Sequence, residues 1–141
     1  MSMPTVVDNI GNTNYINMKN DKHTVLLVDD SATNNLLLQV VFEQNSFAVE
    51  VAFSGKDALK ILKRKHIDVV LLDLMMPGMS GFEVLTAIKE NPDTKSIPVL
   101  IVSADSERDD ADKALAMGAE FYFEKPLQLN EIVEKVKSIL A

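Results

Sequence analysis

Residues 67–81, IDVVLLDLMMPGMSG, restrict the fold of this chain more than any other stretch. Val69, Val70, Leu71, Leu72 and Leu74 surround a single carboxylate, Asp73. A near-continuous run of β-branched residues and leucine reads as a strand buried on both faces, as in the middle of a parallel sheet. Asp73 finishes that strand, and Pro77, Gly78 and Gly81 then turn the chain. An acid there lies on the rim where open α/β sheets hold ligands. Bordered by Leu72 and Leu74, its charge needs compensation.

The flanking sequence supplies the rest of such a sheet. Val25–Val28 reads as a first strand ending in Asp29 and Asp30. Ser31 or Thr33 then caps a helix with Leu36, Leu37, Val40 and Val41 expected on its inner side. Phe47, Val49, Val51 and Phe53 alternate with Ala48, Glu50 and Ala52, the pattern of a half-exposed strand near an edge. Ser54 with Asp57, and Ser80 with Glu83, mark two helix starts, running to Lys65 and to about Asn91. Pro98 opens a fourth strand, Val99–Val102, ending at Ser103. A helix over Ser106–Met117 stops at Gly118, its apolar face limited to Ala111, Ala114 and Leu115. Glu120–Phe123 reads as a fifth strand, followed by Lys125-Pro126. A final helix from about Leu129 gathers Ile132, Val133, Val136, Ile139 and Leu140 on one face.

Five strands alternating with five helices predict a doubly wound α/β fold, a parallel sheet in the order 2-1-3-4-5 covered on both faces. Residues 24–141 form one domain, and residues 1–23 a tail expected to be disordered. Tyr15, Ile16 and Met18 are the anchors that tail would offer a partner. The 141 residues can bury a core without metal or disulfide, and there is no cysteine. Neither a signal peptide nor a membrane span is legible, so a cytoplasmic location is expected. A net charge of −7 disfavours a nucleic-acid surface.

In that strand order the C-terminal ends share one rim, where Asp29, Asp30, Asp73, Ser103 and Lys125 converge. Two negative charges ~4 Å apart at an effective dielectric of ~20 repel by roughly 4 kcal/mol, or about three pKa units. A divalent cation removes that conflict. All-oxygen ligands that leave room for water and phosphate suit Mg²⁺. Ser103 and Lys125 complete a phosphoryl pocket with one hydroxyl and one ammonium. Asp73, between metal and donors, can attack an activated phosphorus to give an acyl phosphate. Taken singly, Asp29 and Asp30 read as helix caps, Ser103 as a loop hydroxyl and Lys125 as a surface lysine; their coincidence with Asp73 reverses this. His23 and His66 read as surface residues flanking strands.

VLLVDDS at strand one, VVLLDLMMPGMSG around Asp73, VSA at strand four and FEKP near the end occur together and in order. In this the chain, from about Thr24 to Ala141, resembles the receiver domain of two-component response regulators, a flavodoxin-like fold whose familiar single-domain member is the bacterial chemotaxis regulator. The resemblance implies that Asp73 accepts a phosphoryl group from a histidine kinase or histidine phosphotransfer protein, with Mg²⁺ required. It further implies that Asp30, Asp73 and the backbone carbonyl of Met75 hold the metal and that Asp29 acts largely through water. Ser103 and Lys125 would contact the phosphoryl oxygens, Lys125-Pro126 would be cis, and Tyr122 would be the aromatic switch residue moving with Ser103. Met75 and Asp105 fall at variable positions beside the site. The output would be a protein-binding face of the fourth helix, fifth strand and fifth helix.

Three rivals share parts of this pattern. A flavodoxin-like cofactor binder needs a hydroxyl- and glycine-rich anion loop where this chain has Asp29 and Asp30. An aspartyl phosphatase normally has a second acid two residues after the nucleophile, and here that residue is Met75. A receiver-like interaction module that is never phosphorylated would not need the complete acid, hydroxyl and lysine set.

Overall fold

The computed structural model describes residues 22–103, 108–126 and 128–141. The tail, apart from Lys22 and His23, and Asp105 lie outside the described residues. Strands β1 (Thr24–Val28), β2 (Ala48–Ala52), β3 (Val69–Leu72), β4 (Val99–Ser103) and β5 (Phe121–Glu124) alternate with helices α1 (Ala32–Gln44), α2 (Gly55–Arg64), α3 (Gly81–Glu90), α4 (Arg108–Ala116) and α5 (Leu129–Leu140). All neighbouring strands pair in parallel, in the order β2-β1-β3-β4-β5. This is the expected topology, with β5 displaced by one residue. No described helix is long and apolar enough to cross a membrane.

The period-2 alternation of side chains divides the core in two. Leu26, Val28, Val70, Leu72, Val99 and Ile101 face α2, α3 and α4, meeting Ala58, Val84, Leu85, Ile88 and Ala114. Val25, Leu27, Val69, Leu71, Leu100 and Val102 face α1 and α5, meeting Leu38, Phe42, Ile132, Val133 and Val136. Every residue of β3 and β4 is buried, whereas four of the five in edge strand β2 are half-buried. The alternation of Val49 and Val51 had indicated that edge. A fully buried Val, Leu or Ile contributes about 1.5–3 kcal/mol, so the central strands need neither metal nor disulfide to hold them.

The α1 expectation is corrected. Leu36, Leu37 and Val40 are 59%, 53% and 46% exposed, while Asn35, Leu38 and Phe42 face inward. The helix is apolar all round from Leu36 to Phe42 apart from Gln39, so periodicity does not select a face. Phe42, fully buried and edge-on to Phe47 at 5.1 Å, fixes the rotation. The amide of Asn35, bonded to the β1 end, fixes it as well. In α4 the thin apolar face is thinner than the sequence suggested: Ala114 is buried but Leu115 is 44% exposed.

Caps place the helices on the acid rim. Ser31, Ser54 and Ser80 are the N-caps of α1, α2 and α3, each accepting a backbone N–H three residues on. The full reciprocal box forms at Ser80 and Glu83. At Ser54 the serine half forms; its partner Asp57 is one methylene shorter than glutamate.

Candidate phosphoacceptor and metal site

Parallel pairing of Val28 with Leu72 brings the next residues of β1 and β3 side by side, and Asp73 N donates to the Val28 carbonyl at 2.9 Å. One carboxylate oxygen from each of Asp29, Asp30 and Asp73 lies within 4.8 Å of the others. Asp29 and Asp73 are buried and Asp30 is exposed. The site therefore has a closed inner wall and one open side.

Each inner acid is held by its own loop. Asp29 Oδ1 accepts from Ser31 N at 2.9 Å, and its Oδ2 from Asn34 Nδ2 at 3.2 Å. Asp73 Oδ1 accepts from Met75 N at 3.3 Å. The Met75 side chain is 57% exposed on the open side. Gly81 closes the loop after Asp73, donating from N to the Leu74 carbonyl at 3.0 Å. A Cβ at Gly81 would collide with the Asp73 carbonyl oxygen and lie 2.5 Å from Leu74 Cα, so a side chain is excluded there.

Burial, and then the negative charge of Asp29, push the Asp73 carboxyl up from 3.8 to about 6. The Met75 N–H and the Lys125 ammonium pull it down, so the rise is smaller than the roughly three pKa units of bare repulsion. Asp73 is thus mostly ionised at pH 7.

Ser103 ends β4 with 0% exposure, and its Oγ has no hydrogen-bond partner among the described residues. A buried hydroxyl left unmet is costly, which leaves it available to donate to an oxygen anion. The Lys125 backbone N donates to the Ser103 carbonyl at 2.9 Å, tying β5's end to β4's. Its Nζ lies 3.4 Å from Asp29 Oδ2, so the ammonium sits on the first-strand acid. Lys125-Pro126 is cis, as the resemblance implied. Tyr122 is half-buried, packed against the core under α2, α3 and α4. Three hard carboxylates, the burial-raised Asp73 and the orphaned Ser103 hydroxyl fit a divalent cation carrying a phosphoryl group.

The structure thus brings together Asp29, Asp30, Asp73, Met75, Ser103 and Lys125. Sequence reasoning missed Asn34 and Asn35, which hold Asp29, and Gly81, which backs Asp73. The adjacent asparagines in the first turn after two acids were the available signal.

The family model described as "Response regulator receiver domain" matches residues 25–137. The chain is 39% identical over 117 residues to the Vibrio cholerae protein named "Probable cyclic di-GMP phosphodiesterase", a match covering 83% of this chain and 26% of that protein. This chain thus spans about a quarter of that relative's length. It is 31% identical over 117 residues to Protein PilH of Pseudomonas aeruginosa, covering 83% of this chain and 97% of PilH. The solved receiver domain of Francisella response regulator 1452 superposes with a TM-score of 0.77 at 29% identity, covering 83% of this chain and 95% of that one.

Proposed function

Because the chain belongs to the response regulator receiver family, we propose that it is the phosphoacceptor module of a two-component phosphorelay, receiving a phosphoryl group on Asp73 from a phosphohistidine donor. The observation that carries this is the convergence of three acids within 4.8 Å with a buried, unpartnered Ser103 hydroxyl and the Lys125 ammonium on the same rim.

Asp30, Asp73 and the Met75 carbonyl would hold Mg²⁺, with Asp29 acting through water. The ion would supply positive charge to oxygens on which negative charge accumulates during transfer. An Asp73 carboxylate oxygen bonds to phosphorus as the P–N bond to the donor imidazole breaks, its electron pair leaving with the ring nitrogen. Ser103 Oγ donates to one phosphoryl oxygen. The Lys125 ammonium swings from Asp29 to another. The aspartyl phosphate is the signal, and turnover of an external substrate is not required of this site.

A protein donor is favoured by the surface beside the site. Leu37 lines a depression with Asn34, Lys125, Pro126 and Leu129, and Leu36 and Val40 extend its apolar edge along α1. A donor presenting its phosphohistidine to Asp73 would cover this patch, which is continuous with the site.

The phosphoryl group adds roughly −1.5 to −2 charges. Moving a switch from 1:99 to 99:1 needs about 5.5 kcal/mol, whereas one charge-assisted hydrogen bond gives about 1.5–3. Either Ser103 and Lys125 act together, with Tyr122 following Ser103, or the active state is already appreciably populated before phosphorylation. Their strands adjoin α4, β5 and α5, where Leu115 and Phe121 are exposed and a target can bind.

Incubation with acetyl phosphate and intact-mass measurement tests the reading: one phosphoryl addition that requires both Mg²⁺ and Asp73 is expected. Addition that persists in Asp73→Asn, or steady hydrolysis of a phosphate monoester, would overturn it.

A further inference from the structure

Beneath the acids, between α1 and the ends of β1, β3 and β4, lies a cavity of about 10 Å³ walled by Asp29, Asp73, Asn35, Leu38 and Val102 among others. That is the lower limit of the roughly 10 to 15 Å³ that admits one water. Asn35 is the wall's polar contribution from α1, 2% exposed. Its Nδ2 donates to the Asp29 main-chain carbonyl at 2.8 Å. Since a carbonyl can only accept, the amide orientation is fixed, and Oδ1 is the atom left over. That oxygen is buried and has no partner among the described residues.

We infer that Asn35 is a positioning residue for the metal site: Nδ2 sets the end of β1, while Oδ1 accepts from a single water in this cavity whose other hydrogen goes to an Asp29 or Asp73 carboxylate. The inference rests on the reading that those acids hold a divalent cation. Groups one layer behind metal ligands aim the ligands, and their loss typically weakens metal binding about 10–100-fold. Asn35 is placed to do this for Asp29 through its main-chain carbonyl, and through the water for the carboxylate that accepts its second hydrogen. A leucine keeps the branched skeleton of four side-chain heavy atoms but can neither donate to the Asp29 carbonyl nor accept from the water, so the acids keep only the bonds from Ser31 N, Asn34 Nδ2, Met75 N and Lys125 Nζ.

The test is Mg²⁺ titration calorimetry on the full chain, with melting curves recorded alongside, for the native protein, Asn35→Ala, Asn35→Leu and Leu38→Ala. Leu38 shares the cavity wall and α1 but has no polar atom, so it reports loosening alone. Binding about tenfold weaker in both Asn35 variants is expected, with Leu38→Ala destabilised at near-native affinity. If Asn35→Ala does not fold, Asn35→Leu, which keeps the branched heavy-atom skeleton, carries the same expectation. A crystal structure of the native chain should place a water against Asn35 Oδ1. Native affinity in the Asn35 variants, or an equal fall in Leu38→Ala, overturns the inference while leaving the metal reading intact. A native chain that takes up no Mg²⁺ overturns the metal reading itself.

Discussion

Lys125 Nζ and Asp29 Oδ2 meet at 3.4 Å across the mouth of the site, both side chains largely buried. The pair joins the end of β5 to the end of β1, so in the proposed function the ammonium that would meet a phosphoryl oxygen rests beforehand on one of the three clustered acids. A metal bound as proposed would compete with the lysine for Asp29. Lys125→Met should bind Mg²⁺ about fivefold more tightly, taking the ion pair as about 1 kcal/mol. It should accept phosphoryl groups about a hundredfold more slowly, having lost a charge-stabilising donor. Calorimetry and the rate of mass gain with acetyl phosphate check the two halves separately.

Asp73 makes the metal-free fold sensitive to pH. Its carboxyl titrates near 6 when folded, against 3.8 as the ordinary value, so the native state binds that proton more tightly than the unfolded chain does. The contribution to stability is full below about pH 4 and is lost as pH rises through about 6. At about 1.4 kcal/mol per pKa unit the ceiling is near 3 kcal/mol. The open side of the site reduces this to about 1–2 kcal/mol. Asp73→Asn should exceed the native chain by that amount at pH 7.5 in a chelator, and the advantage should vanish by pH 4 in thermal melts.

Magnesium should stabilise the native chain. At a hundred times its dissociation constant the gain is about 2.7 kcal/mol. Asp30 is the exposed member of the cluster, so Asp30→Asn should melt as the native chain does without metal and lose most of the gain with it. Paired melts with and without Mg²⁺ decide.

Gly81→Ala should damage the site from behind. The added methyl group meets the Asp73 carbonyl and Leu74 Cα, both backbone atoms that cannot swing aside. A cost of about 3 kcal/mol in denaturant unfolding is expected, together with weaker Mg²⁺ binding as Asp73 is displaced.

Leu37→Asp should discriminate between donors. Its side chain is 53% exposed on α1, so folding should change by no more than about 0.5 kcal/mol. The rate with a phosphohistidine protein, divided by the rate with acetyl phosphate, should fall about tenfold or more.

The sheet and its acid rim were legible in the sequence because burial and position reinforce each other there. The run Val69–Leu72 can be apolar throughout only if both faces are covered, and an acid ending such a run has few structural reasons to exist. The edge position of β2 followed from its alternation in the same way. Helix α1 was less legible, since a stretch apolar all round leaves its rotation to tertiary packing, here Phe42 on Phe47 and Asn35 on the Asp29 carbonyl. An asparagine in a first helical turn reads as surface, so Asn35 became visible only through its burial. Lys125 was placed on the correct rim, but no local pattern specifies that its ammonium rests on Asp29, 96 positions earlier.

Asp29 and Asp73 hang from neighbouring strands, yet 44 positions separate them along the chain. Their encounter exists only after β1 and β3 have zipped together, and a nascent or nicked copy lacking that pairing carries two ordinary aspartates. The cluster is thereby reserved for molecules that have finished folding, and an incomplete copy presents only scattered carboxylates.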